Sequence, residues 1–244
     1  MALTFGLLLV SRASAAVSAD HDAATEAIPV YAGAFAPYAT HGETRPTGLM
    51  VDILDALADE AGVRFDIEIM PWARAQLLVR QGEPPGMIVP LTRTPAREPH
   101  YAWVVPLLRE PLAMMVTDPD LAKLGFADLR AHSVAVQAES PNAAFLKEKG
   151  YRSLDLVNAE TTAARMLRHG RVAAWFARPR VARVVYDKTG GAPDSLHTGA
   201  TRTTPPMYLG ATPKAFAPAL LKRIRDAFAT LRREGRLDSI LTRY

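Results

Sequence analysis

Two hydrophobic periods alternate along this chain. Between residues 48 and 62, apolar positions recur every three and four residues, which predicts an amphipathic helix that ends at Gly62. Residues 63–70 then alternate apolar and charged side chains, the pattern of a half-buried strand. The same succession continues to the C-terminus. We predict further strands at 28–33, 87–90, 112–117, 133–137, 154–157, 172–177 and 207–212, and further helices at 73–81, 141–149, 159–169, 181–187 and 218–235. Strands that alternate with helices indicate an α/β fold with largely parallel sheets.

The net charge is small, but it is unevenly distributed. The 244 residues carry 29 Lys plus Arg and 25 Asp plus Glu, a formal charge of +4, which is too weak to indicate nucleic-acid binding. Residues 114–207 hold 13 basic and 9 acidic residues, so this middle segment carries the whole excess. The Asp118-Pro119 break lies near its start.

The N-terminus has the pattern of a secretory signal peptide. An apolar run from Leu3 to Val10 precedes small residues that fit signal-peptidase cleavage after Ala15 or Ala19. The run is too short to span a bilayer. The alternative is an apolar N-terminal tail. We expect residues 1–19 to direct export to the periplasm.

Signatures of catalysis are missing from the sequence. There is no phosphate-binding G-x-x-x-x-G-K-[ST], no G-x-S-x-G and no H-E-x-x-H, and the chain has no cysteine. The six histidines never recur at i, i+4. We therefore expect neither an enzyme nor a cofactor or metal site.

Four short motifs follow one another along the chain in an order that is typical of one protein family. Gly48-Leu49-Met50-Val51-Asp52-Ile53 opens the first helix, Thr94-Pro95-Ala96-Arg97 follows a strand, Asp128-Leu129 precedes Val134-Ala135-Val136, and the tail runs from Leu231 through Gly235, Leu237 and Ile240 to Tyr244. Together they resemble family 3 of the bacterial extracellular solute-binding proteins, the polar amino-acid-binding components of ABC importers. The resemblance covers residues 28–244.

This resemblance implies a two-lobed periplasmic binding protein of type II, with parallel-sheet lobes joined by two crossing hinge segments. Lobe one would comprise residues 28–113 and 208–244, and lobe two residues 114–207. The charge asymmetry falls on the same boundaries. Ligand would lie in the cleft between the lobes, where small-molecule sites often occur, and the lobes would close on it.

The resemblance also implies ligand-binding residues. Arg97 matches the arginine that binds the ligand carboxylate, a role that suits a planar, bidentate guanidinium. The alternative is an ion pair with Glu98 or Glu110. The other matches are Thr92 as a hydrogen-bonding hydroxyl, Phe35 and Tyr38 as aromatic cover, Trp72 and Arg74 near the cleft, and Ser140 at a helix N-terminus. For Phe35, Tyr38 and Trp72 the alternative is core packing, and for Arg74 an ion pair with the first helix.

One departure from the family pattern bears on the ligand. Aligned from Gly170, the family's ammonium-binding aspartate falls on Arg178. A free amino acid would bring its own cation against this guanidinium, at a high cost in a closed cleft. We therefore favour an anionic ligand without an α-ammonium contact, such as a dicarboxylate, a keto acid or an acidic conjugate. The alternative is that Arg178 turns outward or is neutralised by Glu139 or Glu160.

We predict a periplasmic protein that captures a small carboxylate-bearing solute for ABC-type uptake. We do not expect nucleic acid among its partners. An inner-membrane permease would be its partner, and a monomer is the expected state. Two other functions stay open. One is an enzyme on the same fold, of the cyclic-acid dehydratase type, with Glu139 or Glu43 as the acid. The other is a free-standing ligand-sensing module.

Overall fold

Two five-stranded sheets form the framework of the computed structural model, which describes residues 27–138 and 140–244. The predicted signal peptide and Glu139 lie outside these residues. No helix among the described residues is long and apolar enough to cross a membrane. Within these described residues, ten strands and seven α-helices make up the two units. The strands are β1 Ile28–Ala32, β2 Phe65–Ile69, β3 Met87–Thr92, β4 Ala102–Leu108, β5 Leu112–Val116, β6 Val134–Gln137, β7 Leu154–Val157, β8 Ala174–Ala177, β9 His197–Arg202 and β10 Met207–Ala211. The helices are α1 Leu49–Ala61, α2 Trp72–Gln81, α3 Pro141–Glu148, α4 Glu160–Arg168, α5 Pro179–Lys188, α6 Pro218–Arg233 and α7 Arg236–Leu241.

The first sheet has the order β2-β1-β3-β10-β4, and the second the order β7-β6-β8-β5-β9. In each sheet three neighbouring strands are parallel, as the sequence predicts. The prediction of parallel lobes is incomplete, because β10 runs antiparallel to both its neighbours and so does β5. These two strands begin where the chain enters their sheets, so they must run against the strands that end there.

The chain changes sheet twice, and each time it leaves from an outermost strand, β4 in the first sheet and β9 in the second. Residues 109–111 lead from β4 to β5, and residues 203–206 lead from β9 to β10. We call these the crossing segments. Met207 pairs with both Thr92 and Leu108, so β3 and β4 end beside the crossings. We call this side of each sheet its joining edge.

The pairing of the parallel strands shows which other strands end at the two joining edges. Ala32 pairs with both Val89 and Ile69, so β1 and β2 also end at the joining edge of the first sheet. In the second sheet, Ala113 pairs with Ala177, which places the end of β8 at its joining edge. The ends of β6 and β7 follow by parallel pairing. The loops after the parallel strands of both sheets therefore project toward the crossings.

Hydrophobic layers cover both faces of each sheet. Helices α1, α6 and α7 pack on one face of the first sheet, and α2 covers the other. Helices α4 and α5 cover one face of the second sheet, and α3 covers part of the other. The predicted final helix ends as α6 at Arg233, and Gly235, with φ 71°, separates it from a further short helix, α7, that lies beyond the predicted bounds. A left-handed backbone of this kind suits glycine and ends a helix.

Two leucines on helices of the first unit should differ in how much their truncation lowers the free energy of unfolding. Leu54 is fully buried on α1, whereas Leu77 on α2 is 46% exposed. We expect Leu54→Ala to lower the free energy of unfolding by about 3 kcal/mol, because truncation of a buried leucine leaves a cavity. Leu77→Ala, the matched control, should lower it by less than about 1 kcal/mol. Urea unfolding measures both values, and equal losses would contradict the described packing.

Candidate functional site

The predicted site residues gather at the two joining edges. Phe35 and Tyr38 lie in the loop after β1, Trp72 and Arg74 in the first turn of α2 after β2, and Thr92 at the end of β3. Arg97 lies in the 3₁₀ helix Pro95–His100 that follows. In the second sheet, Ser140 is the N-cap of α3 after β6, and Arg178 is the N-cap of α5 after β8. The predicted site residues, although distant from one another in sequence, therefore lie at the joining edges of the two sheets.

Arg97 makes no ion pair within the described residues. Its Nη1 donates to the carbonyl of Thr92 at 3.1 Å, five residues earlier. Both carboxylates named as alternative partners bind elsewhere, Glu98 to Arg93 and Glu110 to Arg180. Burial lowers the pKa of the Arg97 guanidinium, which indicates that water is partly excluded from this cation. A desolvated guanidinium without a counterion suits a carboxylate ligand.

Arg93 is the residue that holds Glu98 away from Arg97. Its guanidinium donates to the two Glu98 oxygens at 2.8 and 2.5 Å. The same group lies over the rings of Trp103 and Tyr208, at 5.3 and 5.5 Å from their centroids. Such stacking fixes the guanidinium plane. No local pattern in the sequence indicates this role of Arg93, because Trp103 lies on the unpredicted strand β4 and Tyr208 lies 115 residues away.

The aromatic residues of the first joining edge differ in their surroundings. Phe35 is half-buried and packs edge-on against Trp72, with 5.5 Å between ring centroids. Tyr38 is only 3% exposed, packs in the core, and donates its hydroxyl to Glu110. Burial and the neighbouring Glu110 carboxylate raise the pKa of Tyr38. Phe35 and Trp72 thus form an accessible aromatic pair, whereas the described contacts of Tyr38 are internal.

Arg74 in the first unit and Ser140 in the second have simpler surroundings. Arg74 is exposed and forms no ion pair with the first helix in the part of the chain that the structure describes. The Ser140 hydroxyl caps α3 by accepting from the Ala143 amide at 3.2 Å and donates to the Gln137 carbonyl at 2.6 Å. The free amides of a capped helix N-terminus favour an anion nearby.

Arg178 lies against the crossing segments rather than in solvent. Its Nη1 donates to the Glu110 carbonyl at 3.1 Å and lies 3.4 Å from the Thr204 hydroxyl. Within residues 27–138 and 140–244, no carboxylate lies within 4 Å of this guanidinium. Arg178 is therefore a cation that faces the junction of the two sheets.

Glu160 is a partly buried acid whose titration is influenced by the charge of Arg178. Its Oε2 accepts from the Trp175 indole at 2.8 Å. Burial raises the pKa of Glu160, while the Trp175 hydrogen bond and the charge of Arg178 act in the opposite direction. The two side chains are coupled through space but form no contact ion pair.

Two outer hollows contain none of these residues. One of about 300 Å³ lies along α4 and is lined by Thr162, Arg165, Met166, His169 and Arg171. The other, of about 410 Å³, lies between α1 and α7 and is lined mostly by aspartates and arginines. The chemical groups suited to a carboxylate converge at the joining edges, so we place the candidate site there. No group of three or more metal-ligating side chains occurs among the described residues.

Two α/β units, joined by two crossing segments with polar side chains at the facing edges, define a two-lobed ligand-binding protein. Residues 29–244 match the family model described as bacterial extracellular solute-binding proteins, family 3. The chain belongs to this family. A comparison with curated proteins found no match.

Solved structures of low sequence identity share the fold. An ancestral arginine-binding protein bound to arginine is 20% identical with a TM-score of 0.69, covering 89% of this chain and 97% of its own. The arginine-, lysine-, histidine-binding protein ArtJ from Geobacillus stearothermophilus is 18% identical with a TM-score of 0.69, covering 90% and 95%. A histidine kinase sensor domain with similarity to periplasmic binding proteins is 20% identical with a TM-score of 0.71, covering 90% and 96%. The type II periplasmic binding protein fold expected from the sequence is confirmed.

The partly buried carboxyl group of Glu160 should make the stability of the protein depend on pH. Its folded pKa is raised, so the protonated form favours folding, and this contribution disappears as the pH rises through the folded pKa. Glu160→Gln keeps an acceptor for Trp175 but removes the charge. The variant should therefore be more stable than the wild type at pH 7, by a margin that shrinks toward pH 4. Urea unfolding across this range tests the trend.

Glu148→Gln is the matched control, because Glu148 is exposed at the end of α3. It should change the unfolding free energy little at either pH. A margin for Glu160→Gln that grows as the pH falls would contradict this account.

Proposed function

We propose that this protein captures a small carboxylate-bearing solute between its two lobes and delivers it to an inner-membrane permease for ABC-type uptake. The proposal rests on the environment of the Arg97 side chain. A partly desolvated guanidinium stands at the joining edge with only a backbone carbonyl as its partner. Membership of the solute-binding family supports the same reading.

We propose lobes close to the predicted division, 28–113 plus 208–244 and 114–207. Those boundaries fall inside β5 and β10. We therefore place the hinge itself at the crossing segments, residues 109–111 and 203–206. Closure about these segments would bring the two joining edges together around the solute.

For the ligand contacts we infer a division of labour. Arg97 would grip a carboxylate, with the Thr92 hydroxyl beside it and the Phe35–Trp72 pair as apolar cover. Arg74 would add a mobile positive charge at the rim. On the second lobe, Ser140 and the first amides of α3 would offer hydrogen bonds to the solute. Because the Tyr38 hydroxyl is bound to Glu110, we assign Tyr38 to support of the site rather than to the cover over the ligand.

The cation at Arg178 favours an anionic solute over a zwitterionic amino acid. An α-ammonium brought to this position would meet a guanidinium that has no contacting carboxylate among the described residues. A second carboxylate or a keto group would be attracted instead. We propose a dicarboxylate, a keto acid or an acidic conjugate. Structural relatives are described as bound to arginine and to glutamine, so amino acids belong in the test.

The proposed mechanism is binding and closure without bond chemistry. Glu43, a candidate acid for the enzymatic alternative, lies exposed in the loop before α1. We infer a monomer without cofactor, exported to the periplasm by its N-terminal signal.

The ligand class is tested by a thermal-shift screen. Dicarboxylates and keto acids at millimolar concentration should raise the melting temperature by several degrees, since ligand that binds only the folded state stabilises it. Neutral and basic amino acids should raise it less. If amino acids raise the melting temperature and the diacids leave it unchanged, the anion proposal fails.

The role of Arg97 is tested by substitution. Arg97→Ala should weaken binding of the best solute about 100-fold or more, and Arg97→Lys should recover only part of this, because an ammonium cannot replace a bidentate guanidinium. Calorimetric titration measures the affinities. Arg225→Ala, an exposed arginine on α6, is the control and should bind like wild type. Unchanged affinity in Arg97→Ala would overturn the assignment.

A further inference from the structure

Among the acids that the structure describes, Glu110 is the one buried where the chain crosses between the two sheets. It lies in the first crossing segment, and the residue is 7% exposed. It lies between the end of β4 in the first sheet and the start of β5 in the second, so it belongs to the proposed hinge. A buried carboxylate is destabilising unless every oxygen finds a partner. The partners of Glu110 therefore show which parts of the molecule it holds together.

The two carboxylate oxygens bind opposite lobes. Oε1 accepts from the Arg180 Nε at 2.5 Å, and Arg180 belongs to α5 of lobe two. Oε2 accepts from the hydroxyl of Tyr38, which lies in the core of lobe one. A single side chain on the crossing segment thus connects a buried tyrosine of one lobe with an arginine of the other.

Arg180 extends this connection to the C-terminal helix. Its Nη1 donates to the Leu241 carbonyl at 3.2 Å, at the end of α7. The adjacent Val181 packs against the core of both lobes. The start of α5 therefore contacts lobe one by a charged group and by an apolar side chain.

The backbone of Glu110 holds the second crossing segment and the candidate ligand residue. Its carbonyl accepts from the Thr204 hydroxyl at 2.7 Å and from the Arg178 Nη1 at 3.1 Å. Arg109, beside it, donates to the Thr204 carbonyl at 3.0 Å. The two crossing segments are therefore bonded to each other, and Arg178 is fixed to both.

We propose that Glu110 is a positioning residue: its carboxylate, bound by Tyr38 and Arg180, sets the relative orientation of the lobes and thereby the place of Arg178 relative to Arg97. No solute touches it in this role. Its removal would loosen the lobes while each lobe keeps its own core. Affinity for the solute would then change through the lobe orientation, without loss of a ligand contact.

The test measures the distance between the lobes in solution without solute. Because the chain has no cysteine, two can be introduced as unique spin-label sites. Arg225 on α6 and Glu148 on α3 are exposed positions in lobe one and lobe two. Pulsed electron–electron double resonance then measures the distribution of distances between the two spin labels, one on each lobe.

Three variants are compared in this labelled background. Tyr38→Phe removes one hydroxyl, Glu110→Gln removes the charge with little change in shape, and Arg180→Gln removes the guanidinium. Arg183→Gln is the matched control one turn later on α5, since Arg183 is exposed and its one described bond, 3.5 Å to the Pro193 carbonyl, stays inside lobe two. Circular dichroism verifies that each variant is folded.

We expect a single narrow distance peak for the wild type and for Arg183→Gln. The three network variants should at least double the width of the distribution or shift its mean by several ångströms. Distributions in Tyr38→Phe and Arg180→Gln that match the control would overturn the proposal, even if Glu110→Gln fails to fold. The experiment contains no solute, so its failure is distinct from failure of the proposed function.

Discussion

A carboxylate buried where a chain crosses between two lobes must be fully bonded, and this constraint organises the junction of the protein. Glu110 meets it with Tyr38 from lobe one and Arg180 from lobe two. Its carbonyl meanwhile gathers Thr204 and Arg178. The joining edges stand where they do because the crossing segments between them are bonded to each other and to both lobes. The candidate ligand groups occupy those edges.

The electrostatic character of the site follows from which cations already have partners. Arg93 is bound to Glu98 and stacked on two aromatic rings, and Arg180 is bound to Glu110. Arg97 and Arg178 have backbone and hydroxyl contacts but no contacting carboxylate among the described residues. The acids nearest in sequence to Arg97 are thus removed from it by other arginines. These two guanidiniums are therefore available to a carboxylate ligand.

Sequence periodicity predicted most of the fold, and its failures have physical causes. Strand β4 was missed because Pro106 interrupts its apolar run, and proline is depleted inside strands. Strand β9 was missed because His197–Arg202 is polar and glycine-containing, as an edge strand can be. For the candidate site, the local motif Thr94-Pro95-Ala96-Arg97 is the signal that singles out Arg97. The bond of Glu110 to Tyr38 spans 72 residues, and no local pattern encodes such a contact. A lone glutamate between two apolar runs was its only sign in the sequence.

The proposed solute site lies between the two joining edges, and hydrogen–deuterium exchange can locate it. The exchange is measured with and without the carboxylate that gives the largest shift in melting temperature. The account predicts protection of residues 33–38 and 92–97 in lobe one together with 138–143 and 178–182 in lobe two. Protection confined to the outer hollows along α4 or between α1 and α7, with no change at the joining edges, would contradict it.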